Sequence, residues 1–135
     1  MSAICVLLLM VLCHIIDDFV LQPVCLSNLK QKSWWEEKFS HYAWKKDEIY
    51  KNDYKMALFI HALSWSIMIH LPIMFLWKGV PGLIILMTVG INCFLHAFID
   101  DKKANEKVIN LIDDQFAHFL QIFVTFIILL AFNHY

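Results

Sequence analysis

Residues 80–100 read VPGLIILMTVGINCFLHAFID, and the fold turns on how this stretch is read. A Pro-Gly turn opens it, and a nearly unbroken apolar run follows whose length matches the ~20 residues of one membrane crossing. Near its end stand His96 and Asp100, four residues apart and therefore on one face of a helix. Three other runs have the same character: about Ala3 to Gln22, about Met56 to Trp77 and about Phe116 to Phe132, the quoted one covering about Val80 to Ile99. Composition points the same way. Of 135 residues, 60% are apolar and 17% charged, against about 45–50% and about 25% in a soluble domain. The expected fold is all-α, a single domain built as an integral membrane bundle of four transmembrane helices.

The formal net charge is -1, with eleven lysines and no arginine, which argues against nucleic acid as the main partner. Cys5, Cys13, Cys25 and Cys93 form no CxxC pair and read as reduced, small apolar residues. No lysine precedes the N-terminal run and no small-residue cleavage site follows it, so it reads as a retained helix rather than a secretory signal. Lysine placement orients the chain. Lys30, Lys32, Lys38, Lys45, Lys46, Lys51 and Lys55 lie between the first and second runs, and Lys102, Lys103 and Lys107 lie before the fourth. Only Lys78 falls on the other side. The positive-inside rule therefore puts both lysine-bearing segments in the cytoplasm and both termini on the non-cytoplasmic side. The segment from about Pro23 to Lys55 carries Trp34, Trp35, Phe39, Tyr42 and Trp44, and reads as a cytoplasmic interfacial helix or a solvated loop.

Ionisable residues inside a membrane span are costly and usually face the bundle interior, where they carry function. Here they follow a pattern. His14, Asp18 and Gln22 recur every four residues on the first span, as do Asn92, His96 and Asp100 on the third, with Lys103 three later. Asp114 and His118, also four apart, open the fourth span and are followed by Gln121, while His61 stands alone on the second. With the orientation above, these groups fall within about one or two helical turns of a single depth near the cytoplasmic surface. His70 is half a turn out of phase with His61 and about 13 Å deeper, which makes it structural. His41 and His134 lie outside the layer. Asp101 and Asp113 read as solvated.

Buried carboxylates without a cation must be protonated or paired, so the layer reads as a metal site formed by His14, Asp18, His61, His96, Asp100, Asp114 and His118. Imidazole with carboxylate suits zinc, iron or manganese, and helix bundles hold paired-metal sites of this composition. One or two divalent ions are expected. Heme is disfavoured, because adjacent carboxylates do not fit a neutral bis-imidazole site. Gln22, Asn92, Gln115, Gln121 and Lys102 are expected around the ligands or substrate. Asp17 is placed beside the shared face as a proton acceptor or outer support, and Lys30 and Lys103 as cations that stabilise anionic charge.

The ordered set His14-x3-Asp18-Phe19-x2-Gln22, Lys30, an isolated His61, His96-x3-Asp100-x2-Lys103 and Asp114-Gln115-x2-His118 resembles the bacterial and phage membrane family catalogued as the domain-of-unknown-function family numbered 3307. The resemblance spans roughly Cys13 to His118, and the long aromatic segment before His61 departs from it. It implies a small polytopic protein of a bacterial-type inner membrane and brings no established activity. The chain is also broadly similar, in ligand type alone, to membrane-bound metal-dependent hydrolases.

The expected function is a metal-dependent hydrolase acting on a lipid or phosphate ester at the cytoplasmic leaflet, with the bilayer itself and a lipid phosphate as partners. Two other readings stand beside it. One is a metal- or proton-coupled transporter; the other is a regulatory or phage membrane protein with a structural metal. A homo-oligomer is compatible with each.

Overall fold

The computed structural model describes residues 2–39 and 50–133, and all four apolar runs are helices in it. Helix α1 (Ala3–Ile15) continues through a widened turn at Ile16–Leu21. Two short helices follow, α2 (Val24–Leu29) and α3 (Lys32–Phe39). Then come α4 (Asp53–Leu76), α5 (Gly82–Asp101) with a second widened turn at Lys102–Glu106, and α6 (Leu111–Phe132). Among the described residues there is no strand. The part of that segment holding Trp34 and Trp35 is helical, as α3, whereas His41, Tyr42, Trp44, Lys45, Lys46 and His134 lie outside the described residues.

Two helices begin well before their apolar runs. Hydropathy locates a run of side chains, but a helix starts where its first free N–H groups find acceptors. In α6 that acceptor is Asn110 Oδ1, which takes the Ile112 and Asp113 backbone N–H groups at 2.7 and 3.0 Å, with the Asp113 carboxylate reaching back to complete a capping box. This early start puts Asp114 and His118 on the helix proper. Asp53 similarly opens α4 ahead of Met56. Pro72 sits one turn from the end of α4, where its missing N–H frees one carbonyl of the preceding turn.

Helix α4 packs between α1 and α5, and α6 closes the ring against α1 and α5. One half of the bundle is filled by an apolar core of Val6 and Met10 (α1), Trp65, Ile69 and Ile73 (α4) and Ile122, Phe126 and Leu129 (α6), all buried. The opposite half is filled by polar residues. His14, Asp17, Lys30, His61, His96, Asp100, Asp114 and His118 are all buried, while Phe75, Phe94 and Phe116 are 71%, 72% and 70% exposed. A soluble domain sorts these residues the other way round. Each of the four long helices is long and apolar enough to cross a membrane.

Candidate metal centre

The polar half lies at the C-terminal ends of α1 and α5 and the N-terminal ends of α4 and α6, so each helix brings its ionisable face to one level. Both HxxxD pairs, His14/Asp18 and His96/Asp100, sit at a widened turn: Asp18 lies within the first, at Ile16–Leu21, and the second, at Lys102–Glu106, follows Asp100. In the first of these, the Gln22 N–H donates to the Asp17 carbonyl five residues back at 3.0 Å. Such turns break the regular ladder and recur at functional sites. Here they carry the chain from the helix ends to Lys30 and Lys103.

Asp100 is the hub. Its Oδ2 receives the Lys30 ammonium at 2.6 Å and lies 3.5 Å from His61 Nε2. Its Oδ1 lies 3.4 Å from His118 Nε2 and 3.7 Å from His96 Nε2. Asp18 Oδ1 approaches His61 Nε2 at 3.3 Å, and Asp114 Oδ1 approaches His118 Nε2 at 3.3 Å. Two groups of three have ligand atoms all within 4.8 Å of one another: Asp18, His61 and His96, and His96, Asp100 and His118. His96 is common to both.

The hydrogen bonds separate ligands from supports. His61 turns Nδ1 toward Asp17 Oδ2 at 3.9 Å, and Asp17 is itself held by the Ser64 hydroxyl, which donates to Oδ1 at 2.8 Å. A carboxylate behind a histidine, with the other ring nitrogen facing a cluster of acceptors, is the arrangement that fixes tautomer and orientation at metal sites. His14 differs. The Trp65 indole N–H donates to its Nδ1 at 2.7 Å, and its Nε2 meets Gln115 Oε1 at 3.1 Å. Asp18 Oδ2 lies 3.5 Å from that same Nδ1, but the indole already occupies the lone pair.

His96 and His118 are the opposite case. Both rings are fully buried, and among the described residues none of their four nitrogens makes a hydrogen bond; the same holds for Asp18 Oδ1 and Asp114 Oδ1. The two rings stack with centroids 4.2 Å apart, and Trp65 stacks on His96 at the same distance. Buried polar atoms almost always find a partner, and each orphan costs about 1–3 kcal/mol. Charge is also out of balance. Among the described residues the carboxylates of Asp17, Asp18, Asp100 and Asp114 face two ammonium groups, Lys30 on Asp100 and Lys103 on Asp114, each at 2.6 Å. With every imidazole neutral, two negative charges remain. Protonating both stacked imidazoles would neutralise them, but would set like charges 4.2 Å apart, a repulsion of about 4 kcal/mol at an effective dielectric of about 20. One divalent cation answers both the orphaned nitrogens and the missing charge.

The expected residues fall into three sets. Asp18, His61, His96, Asp100 and His118 form the two ligand groups. His14 and Asp114 belong to the same layer but to neither group; Asp114 Oδ2 is taken by Lys103 at 2.6 Å and by the Gln115 amide at 3.2 Å. The rest lie around the ligands. Gln22 accepts from Lys30 at 3.1 Å, Gln115 links His14 to Asp114, and Asn92 and Gln121 sit deeper in a separate network. Lys102 turns away, pairing with Glu106 at 2.6 Å over the Phe98 ring. Asp101 is not freely solvated, because Asn105 Nδ2 donates to its Oδ1 at 2.6 Å. His70 is structural as expected, with Nδ1 donating to the Ser66 carbonyl at 2.7 Å and Nε2 meeting the Thr88 hydroxyl at 3.0 Å.

Trp65, Ser64 and Asn105 were not anticipated. Trp65 stands four residues after His61, so a spacing signal existed, but an aromatic in an apolar run reads as core. Asn105 clamps the α2–α3 elbow over the site. It donates to the Lys30 carbonyl at 3.1 Å and accepts the Lys32 N–H at 2.7 Å.

A cavity of about 420 Å³ opens on the layer, lined by Asp18, His61, Asp100 and Asp114 together with Lys30, Lys103, Lys107, Gln22, Gln31 and Gln115. Its size suits a small ligand. No family model matches the chain, and neither a curated protein nor a solved structure matches it.

Proposed function

We propose that this chain is a four-span protein of a bacterial-type inner membrane, with both termini on the non-cytoplasmic side. Its buried His/Asp layer binds one or two divalent ions (zinc, iron or manganese) and hydrolyses a lipid or phosphate ester at the cytoplasmic leaflet. Membership in the family numbered 3307 rests on the ordered motif set alone and is part of the proposal. The observation that carries the metal reading is the pair of fully buried, stacked, hydrogen-bond-free imidazoles of His96 and His118 beside Asp100. The observation that favours hydrolysis over a purely structural ion is the cavity, which opens on the layer and is lined by ammonium and amide groups beside the carboxylates.

A metal bound here would lower the pKa of a coordinated water toward neutrality, which is the chemistry it supplies. The side chains do the rest. Asp17 faces His61 Nδ1 at 3.9 Å, and Gln115 bridges His14 and Asp114 by hydrogen bonds. Lys30 and Lys103 are positioned to neutralise phosphate oxygens, and Asn105 keeps the Lys30 backbone beside the cavity. Metal-loaded protein in mild detergent should cleave a soluble phosphate monoester or diester, and chelator should stop it. Absence of cleavage with every metal tested, despite stoichiometric binding, would sink the hydrolase reading.

Transport has one observation in its favour. A hydrogen-bonded ladder runs inward from the layer: Gln121 Nε2 donates to the Asn92 carbonyl at 2.8 Å, Asn92 Nδ2 to Thr125 Oγ1 at 2.8 Å and to the Thr88 carbonyl at 2.9 Å, and Thr88 meets His70. Beyond His70, Trp77 and Val80 belong to the apolar core that closes this end. Proton or metal flux in sealed vesicles tests that reading.

A further inference from the structure

We infer that the slot between α5 and α6 holds one hydrocarbon chain of an anionic, phosphate-bearing lipid whose headgroup occupies the cavity at the carboxylate layer. This rests on the membrane reading above and names the substrate class of the same site. A second cavity, of about 330 Å³, is lined only by residues of α5 and α6. It shares no lining residue with the first, but its lining is adjacent to that cavity's along the chain at both helices, Ile99 beside Asp100 and Ala117 two residues from Gln115. On α5 the slot residues Ile91, Leu95 and Ile99 stand at four-residue intervals, and the next two positions of that series are Lys103 and Lys107, which line the polar cavity. On α6 the polar cavity takes Leu111 and Asp114, and the slot continues along the same face through Ala117, Gln121 and Val124. The α5 side therefore runs from apolar slot to the lysines of the turn that follows the helix, while the α6 side runs from apolar slot to Asp114 and Gln115.

Dimensions select the occupant. The slot extends along α5 from Thr88 to Ile99, about 16 Å at ~1.5 Å per residue, which is half of an ~30 Å hydrocarbon core. It is one leaflet deep and begins directly below the carboxylates. The slot is a shallow apolar groove between two neighbouring helices, a shape that one extended hydrocarbon chain can follow along its length. Charge selects the head. Lys30 and Lys103 line the polar cavity in ion pairs with Asp100 and Asp114, and Lys107 lines it without an ion pair among the described residues, so it is the cation left for an anionic head beside the metal-loaded carboxylates. Lys and phosphate attract as point charges.

The test uses the full chain, metal-loaded, in phosphatidylcholine vesicles doped with a phosphatidic acid carrying a photoreactive diazirine midway along one chain. Labelling should concentrate in peptides covering Ile91, Leu95 and Ile99 and covering Ala117 to Ile128. It should be lost in Ala117→Trp, which fills the slot beside the headgroup. Val124→Trp is the second variant, should the first fail to insert, and should lose labelling of Ile91 and Ile128 while keeping that of Ile99. Labelling spread evenly over outward residues such as Phe59, Phe75 and Phe94, and indifferent to both tryptophans, would overturn the inference. So would a protein–protein cross-link through this face, which would make a second copy the occupant. Inorganic phosphate that binds wild type and Ala117→Trp equally, with no lipid labelling in either, would show a free-phosphate pocket instead. Cleavage of a soluble phosphate ester is followed in parallel. Cleavage with diffuse labelling refutes the lipid slot alone, and focused labelling without cleavage refutes hydrolysis alone.

Discussion

Replacing His96 with phenylalanine should make the metal-free protein more stable than wild type and the metal-loaded protein less stable. His96 is fully buried, and neither ring nitrogen has a hydrogen bond. Without metal the imidazole therefore contributes packing and two orphaned polar atoms. A phenyl ring keeps the stacking on Trp65 and His118, both at 4.2 Å, and removes an orphan penalty of about 1–3 kcal/mol. With metal the sign reverses. His96 is the one residue shared by both ligand groups, so its loss leaves neither complete. Wild type at a metal concentration about 100 times its Kd gains about 2.7 kcal/mol from binding, and the variant should gain almost none. The two stability curves should cross as metal is added. Unfolding in mixed micelles, followed by tryptophan fluorescence in chelator and then across a zinc or manganese titration, measures both signs. His96→Leu serves as a control, because the larger phenyl ring carries a possible overpacking cost of about 1–3 kcal/mol. Destabilisation of both variants in chelator together with an undiminished metal increment would refute the reasoning, leaving His96 as an ordinary packing residue.

His70→Phe should behave in the opposite way, losing its contacts with Ser66 and Thr88, about 1–3 kcal/mol with or without metal, and keeping the full metal increment in the same titration. Asp100→Asn should lose the metal and also strand the Lys30 ammonium, 2.6 Å away, at about 3–5 kcal/mol; Asp101→Asn should retain metal by elemental analysis, and equal losses in the two would refute the assignment. Protein purified without chelator or imidazole should carry about one to two ions per chain, and content below about a tenth of an ion after reconstitution would remove the metal site. Reporters fused after Tyr135 should be active only outside the cytoplasm, and cytoplasmic activity would overturn the orientation and the leaflet assigned to the site.

Four apolar runs, and the level at which their ionisable residues lie, were legible in the sequence, because helical rise and a period of 3.6 are properties of the backbone alone. His96 and Asp100 share a face wherever that helix is put. The same regularity let His61 be separated from His70. What one helix's periodicity could not contain is the meeting of faces from different helices. His14 carries the same HxxxD spacing as His96, yet a neighbouring indole and an amide take both its nitrogens, while His96 is left with none. Asp17 was legible only as adjacent to the face; its place behind His61 depends on how α1 rotates against α4. Lys30 reaches Asp100 across seventy residues, because the chain turns after the widened turn that holds Asp18 and Asn105 holds the elbow in place. Spacing decided which side chains could share a level. Only packing decided which nitrogens were already satisfied, and a ligand is a nitrogen that is not.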